Sequence, residues 1–228
     1  MALYIGSNTI DSLGVNIINY NGLITNGLVC FLDAGNATSY PGSDNTWYDL
    51  SGNGYNATFT SSPSWNNSNG GTMVTTASGG RFNTSGLNLA SSNFTVIAAS
   101  RYASGTTSRI VSGLNNNWLL GHWSNSVLNY YSAGWITGSG VGGNDTKWRL
   151  YAGSGVIGGT YKFYVNGALN ASGAGGTAGP NDFSIGAYGP GTSEFSDGNV
   201  AFLLVYNRAL SDAEVFKVYQ VFRKRVGV

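Results

Sequence analysis

From Leu28 onward the chain is built of short apolar runs separated by turn-forming residues. They are Phe94 to Ala99, Arg109 to Ser112, Trp118 to Leu120, Val127 to Tyr131, Trp148 to Tyr151, Tyr161 to Val165, Phe183 to Ile185 and Ala201 to Tyr206. Many runs of this length at turn-punctuated spacing predict strands of a sandwich or barrel. The strongest hairpin signal is Tyr164-Val165-Asn166-Gly167-Ala168-Leu169, because an Asn-Gly pair supplies the positive φ angles of a two-residue type I′ turn. A length of 228 residues fits one such domain with one core, and an aromatic share of 13% supplies the large apolar surfaces that hold two sheets together.

One convincing helix is expected at about residues 211–224. Ser211 and Glu214 form a capping-box pattern, and Val215, Val218, Tyr219 and Phe222 follow at helical spacing. The cluster Arg223, Lys224 and Arg225 then falls where a helix terminus favours cations. Cys30, inside Leu28-Val29-Cys30-Phe31-Leu32, reads as a small buried hydrophobe, and as the sole cysteine it has no internal disulfide partner. The glycine-rich stretches Gly138 to Gly143 and Gly173 to Gly179 are expected as exposed loops. Residues 1–26 alternate short apolar patches with Gly, Asn and Ser, and are expected to form an arm for docking or oligomerisation ahead of a sandwich over 27–228. The start carries no secretory signal and no segment reaches membrane-spanning length, so folding in a cytoplasm without membrane insertion is expected.

Charged residues make up 9% of the chain and its net charge is +1. That balance disfavours nucleic acid and anionic lipid as partners, since phosphate binding needs clustered Lys and Arg. Glycosidase chemistry needs two acids in one cleft. The only glutamates are Glu194, in a loop-like stretch, and Glu214, explained by the capping box, so no enzymatic activity is expected. His122 is the sole histidine, with no Gly-x-Ser-x-Gly elbow, and reads as an ordinary strand-end residue beside Trp123. Sugar binding instead needs exposed aromatic faces with amide hydrogen-bonders around them. Asn117, Trp118, His122, Trp123, Tyr131 and Trp135 have that composition and are the candidate carbohydrate-binding residues. These aromatics also alternate along strands, so most are expected in the core, with one or two rings left for the surface.

Two segments carry a further signal. The first runs Gly27-Leu28-Val29-Cys30-Phe31-Leu32-Asp33-Ala34-Gly35-Asn36 and on through Thr46-Trp47-Tyr48-Asp49-Leu50-Ser51-Gly52-Asn53-Gly54-Tyr55-Asn56-Ala57-Thr58. The second is Val205-Tyr206-Asn207-Arg208-Ala209-Leu210-Ser211-Asp212-Ala213-Glu214-Val215. With Lys162-Phe163-Tyr164-Val165-Asn166-Gly167 between them, the chain resembles the laminin-G-like, concanavalin-A-like domains of tailed-bacteriophage virion proteins.

The resemblance implies an all-β jelly-roll sandwich of two antiparallel sheets with a short C-terminal helix. It implies a virion structural protein, assembled in the host cytoplasm and displayed on the particle surface as a capsid decoration or tail appendage. Its partners would be other virion proteins, further copies of itself and host-surface glycans. A free lectin-like module is the alternative, and a glycoside hydrolase ranks last. Such domains often hold calcium, for which Asp145, Asp182 and Asp197 are the candidate ligands. Where relatives carry Asp-Glu before the second segment, this chain has Ala201-Phe202, a departure that counts against a family calcium site.

Read without the family, Asp49 to Gly54 is a tight turn whose Asp and Asn bond nearby backbone, and Arg208 can reach a carboxylate or helix-end carbonyls.

Overall fold

The computed structural model describes residues 20–60, 64–189 and 193–228, together with the backbone of Thr9–Ile10 and Asn16–Ile17, which pair antiparallel. Most of the expected arm, residues 1–19, therefore lies outside the described residues apart from that pair. Its last part does not stand free, because Tyr20 is buried against Phe31 and Phe222.

Two antiparallel sheets face each other. One has the strand order Ser126–Ser132, Trp118–Trp123, Val111–Gly113, Phe183–Ile185, Arg81–Thr84, Ala57–Thr60 and Thr46–Trp47. The other runs Ala168–Gly173, Tyr161–Val165, Arg149–Gly155, Phe94–Tyr102, Gly198–Tyr206, Thr72–Thr75 and Ser64–Asn66, with Leu28–Asp33 also paired to Gly198–Tyr206 as its eighth strand. The Asn166-Gly167 turn joins two of these strands with φ of 49° and 78°, as its sequence predicts. This is the expected jelly-roll sandwich.

Alternation along the strands assigns the residues to layers. Phe94, Val96, Ala98 and Tyr102 enter the core between the sheets with Phe82, Trp118, Leu120, Tyr130 and Phe183, while Ile97 and Ala99 point the other way. That second face of the eight-stranded sheet is covered by the helix Asp212–Val226 through Val215, Val218, Phe222 and Val226. In Gly198–Tyr206 the register shifts between Val200 and Phe202, so Ala201 and Phe202 both face the helix and Phe202 stacks on Phe222 at 4.0 Å. The positions where relatives carry Asp-Glu thus serve here as packing under the helix.

The expected capping box forms: Ser211 Oγ accepts from Glu214 N at 3.3 Å, and the Glu214 carboxylate accepts from Ser211 N at 2.9 Å. Arg208 donates to both oxygens of the same carboxylate, at 3.1 and 2.7 Å, and to Asn26 O. In the Asp49 turn, Asp49 Oδ1 accepts from Phe31 N and Ser51 N, at 2.8 and 2.9 Å. Cys30 is fully buried, as expected. Among the described residues no helix is long and apolar enough to cross a membrane.

Two expectations need correction. Arg225 does more than end the helix: it ion-pairs with Asp33, whose side chain is fully buried, and donates to the carbonyls of Asn69, Gly71 and Ala201. The Gly173 to Gly179 run is not wholly an exposed loop. Gly176 and Gly179 are buried, and an added Cβ would stand 2.7 Å from the Tyr161 ring at the first and 2.3 Å from Leu89 O at the second.

Candidate functional site

With the facing sides of the two sheets packed together and the helix on the far side of one, the outer face of the seven-stranded sheet remains, where Ser112, Leu119 and Ser184 are covered and the margin reaches the surface. Register decides which side chains belong to it. Leu120 lies opposite Tyr130 and both enter the core, so Leu119 and Tyr131, the next opposed pair, occupy the outer face. Tyr131 meets Trp135 with ring centroids 5.1 Å apart, and Trp135 meets Trp123 at 5.2 Å. All three rings are half-buried.

Beside this cluster Arg109, 5% exposed, organises a polar group. Its Nε pairs with the Glu194 carboxylate, its Nη1 donates to Asn117 Oδ1 at 2.8 Å, and its guanidinium lies 4.2 Å from the centre of the Tyr188 ring. Burial pulls the Arg109 pKa down, and the charge and hydrogen bond of Glu194 oppose that shift. Asn117 O accepts from Ala133 N at 3.3 Å, which sets this polar group beside the segment that runs from Tyr131 to Trp135. Glu194 is held in the left-handed region at φ 51°, a conformation that non-glycine residues seldom adopt.

The glycine-rich run explains how the rings are placed. Gly134 and Gly175 approach so closely that a Cβ on Gly134 would lie 1.7 Å from Gly175 O, and one on Gly175 would lie 2.4 Å from Trp135 O. Thr177 N donates to Ser132 O at 2.9 Å and Ser132 Oγ to Ala178 O at 2.5 Å. The run therefore buttresses the loop that carries Trp135, a role only residues without side chains permit.

Of the six residues singled out for carbohydrate, the structure brings four to this face: Asn117, Trp123, Tyr131 and Trp135. Trp118 and His122 sit on the even positions of the same strand and are fully buried in the core. His122 is therefore a core residue and not a strand-end one. It makes edge contacts with the rings of Tyr102 at 4.5 Å and Tyr151 at 5.1 Å, and neither imidazole nitrogen has a hydrogen-bond partner. Burial pushes its pKa down to about 3, with Arg149 adding to the shift and Asp145 opposing it.

Since the folded pKa lies below the unfolded value near 6.5, the neutral ring contributes stability that is intact above about pH 6.5 and lost as pH falls toward 3. His122→Phe is expected to keep the ring contacts and remove an unsatisfied buried N–H. Urea unfolding across this range should show stability about 1–3 kcal/mol higher at neutral pH and a flatter acid limb. A variant as acid-sensitive as the wild type would contradict this assignment.

Sequence reading missed Arg109, Tyr188 and Glu194. Arg109 and Glu194 stand 85 positions apart, and nothing local pairs them.

The three candidate calcium ligands lie apart and do not fit a shared ion. Asp182 is 6% exposed and accepts from Thr84 Oγ1, Gly86 N, Leu87 N and Asn115 Nδ2. Asp197 accepts from Ala77 N and Thr106 N. Asp145 holds the Arg149 guanidinium through both oxygens, each at 2.7 Å, which with the Lys147 N–H holds its pKa down at about 2. Among the described residues no group of three or more Asp, Glu, His and Cys side chains converges.

The sequence profile described as the concanavalin A-like lectin/glucanases superfamily matches residues 76–216. No curated protein matches the sequence significantly. Among solved structures, the binding domain of Paraclostridial mosquitocidal protein 1 is similar with a TM-score of 0.63 at 14% identity, over 85% of this chain and 52% of that one. This chain thus spans about half the length of that domain. Domain 4 of AbnA, a GH43 extracellular arabinanase from Geobacillus stearothermophilus, in complex with arabinotriose, is similar with a TM-score of 0.63 at 18% identity, over 85% of this chain and 98% of that domain. Trypanosoma rangeli sialidase is similar with a TM-score of 0.62 at 18% identity, over 97% of this chain and 36% of that one. At these identities the likeness establishes the fold.

Proposed function

The chain belongs to the concanavalin A-like lectin/glucanases superfamily, and we propose that it is a non-catalytic glycan-binding domain that works through the outer face of its seven-stranded sheet. The observation that carries this reading is that the ring cluster of Trp123, Tyr131 and Trp135 adjoins the Arg109, Asn117 and Glu194 group, with Ala133 N donating to Asn117 O between them. Aromatic rings cover the C–H faces of sugars, and fixed polar groups beside them select hydroxyls. Action without turnover is supported by the state of Glu194, which is the acid among the described residues gathered here and is paired to Arg109 rather than to a second carboxylate. The binding domain of the mosquitocidal protein and the arabinotriose-bound arabinanase domain add support by analogy of fold.

The resemblance of Gly27 to Thr58 and Val205 to Val215 to phage virion domains favours display on a particle surface, beside other virion proteins and further copies of this chain, where a host glycan would be met. Label from an antibody against this chain, spread on capsid or tail in electron micrographs, would support that placement. Unlabelled particles would refute it.

Trp135→Ala is expected to weaken binding of an oligosaccharide selected from a glycan array by at least about tenfold, or 1.4 kcal/mol, with little change in Tm. Calorimetric titration measures the first and thermal unfolding the second. Undiminished binding by a folded variant would remove this face as the site.

A further inference from the structure

The same face also constrains the chemistry of its ligand, an inference that rests on the glycan-binding reading. The cation of this polar group is Arg109, and its charge is already met by Glu194. A carboxylated sugar brought here would add a second anion beside Glu194 and find no uncompensated cation among the site residues. What remains for a ligand is uncharged. Asn117 is exposed and spends its Oδ1 on Arg109, which leaves its amide nitrogen, and half-buried Tyr131 and Tyr188 are the phenols of the ring cluster and of the Arg109 group.

The rings add a shape constraint. Trp135 is inclined 61° to Trp123 and 74° to Tyr131, so the three form a corner and not a flat strip. A strip of coplanar rings would carry several successive sugars of an extended chain. A corner walls one sugar ring on more than one side and suits a chain end or branch.

We propose that this face takes an uncharged glycan through a single sugar residue seated in the corner at Trp135, and that the Arg109–Glu194 pair excludes acidic sugars.

The test is the full chain on an array of paired oligosaccharides, each neutral one beside its sialylated or uronic-acid form and in several chain lengths, at low and moderate salt. The expected result is binding to neutral members, at least about tenfold weaker binding of their acidic forms, little salt dependence, and affinity that stops rising after the first one or two residues. E194Q is expected to gain salt-dependent binding of the acidic forms, because it leaves Arg109 uncompensated. Preference of the wild type for acidic forms, or affinity climbing steadily with chain length, would overturn this proposal and leave the glycan-binding reading standing. Binding of no member would overturn both.

Discussion

Asp33→Ala is expected to lower the unfolding free energy by about 3–5 kcal/mol, because it strands the Arg225 guanidinium without its anion in a largely buried setting. The Asp33 side chain is fully buried, accepts from Tyr20 OH at 2.6 Å and Gly35 N at 2.8 Å, and pairs with Arg225. One carboxylate therefore joins the end of Leu28–Asp33, the segment at Tyr20 and the last turn of the C-terminal helix. Arg225→Met should cost less, since methionine fills part of the volume and the stranded carboxylate keeps two donors. The double variant should recover part of the Asp33→Ala loss, as buried pairs replaced whole are tolerated better than pairs halved. Urea unfolding of the four proteins measures this. A loss below about 1 kcal/mol for Asp33→Ala would mean the pair is solvated and peripheral.

The second large effect separates two tryptophans that composition alone treats alike. Trp118→Ala is expected to cost about 3–5 kcal/mol of stability, because it empties a site ringed by Phe94, Tyr130 and Phe183 at centroid distances of 6.3, 6.0 and 5.7 Å. The molecules that remain folded should bind glycan as the wild type does. Trp118→Phe, which keeps a ring in the site, should be milder. Trp135→Ala has the opposite profile, with binding lost and stability kept. Loss of binding in folded Trp118 variants, measured under conditions where both proteins are native, would show that the two residues share one surface.

How far the sequence reveals this molecule depends on how local each determinant is. The Asn166-Gly167 hairpin and the Ser211–Glu214 cap are complete within six residues or fewer, and both form as their residue types require. Strand parity was also available: Asn117 directly precedes, and Trp123 ends, a strand whose even positions Trp118, Leu120 and His122 enter the core. What composition cannot supply is which parity faces out, since both faces of this strand carry large apolar residues and Leu119 is itself buried.

The ion pairs lay further from reach. Arg225 within a basic trio looks like any helix end until residue 33 is brought to it across 192 positions, and Glu194 looks like a loop acid until Arg109 is seen against it. The glycine run between Gly173 and Gly179 reads as an exposed loop because the constraint that demands glycine, the backbone of Gly134 and Trp135, comes from a segment about forty residues earlier.

The central claim, that sugar is bound on the outer face of the seven-stranded sheet, is tested most directly by following the indole N–H signals of the 6 tryptophans by NMR while an array-selected oligosaccharide is added. The account predicts that the signals of Trp123 and Trp135 move and saturate together while those of buried Trp47 and Trp118 stay in place. Movement of Trp65 or Trp148 with Trp123 and Trp135 unmoved would place the sugar elsewhere and contradict it.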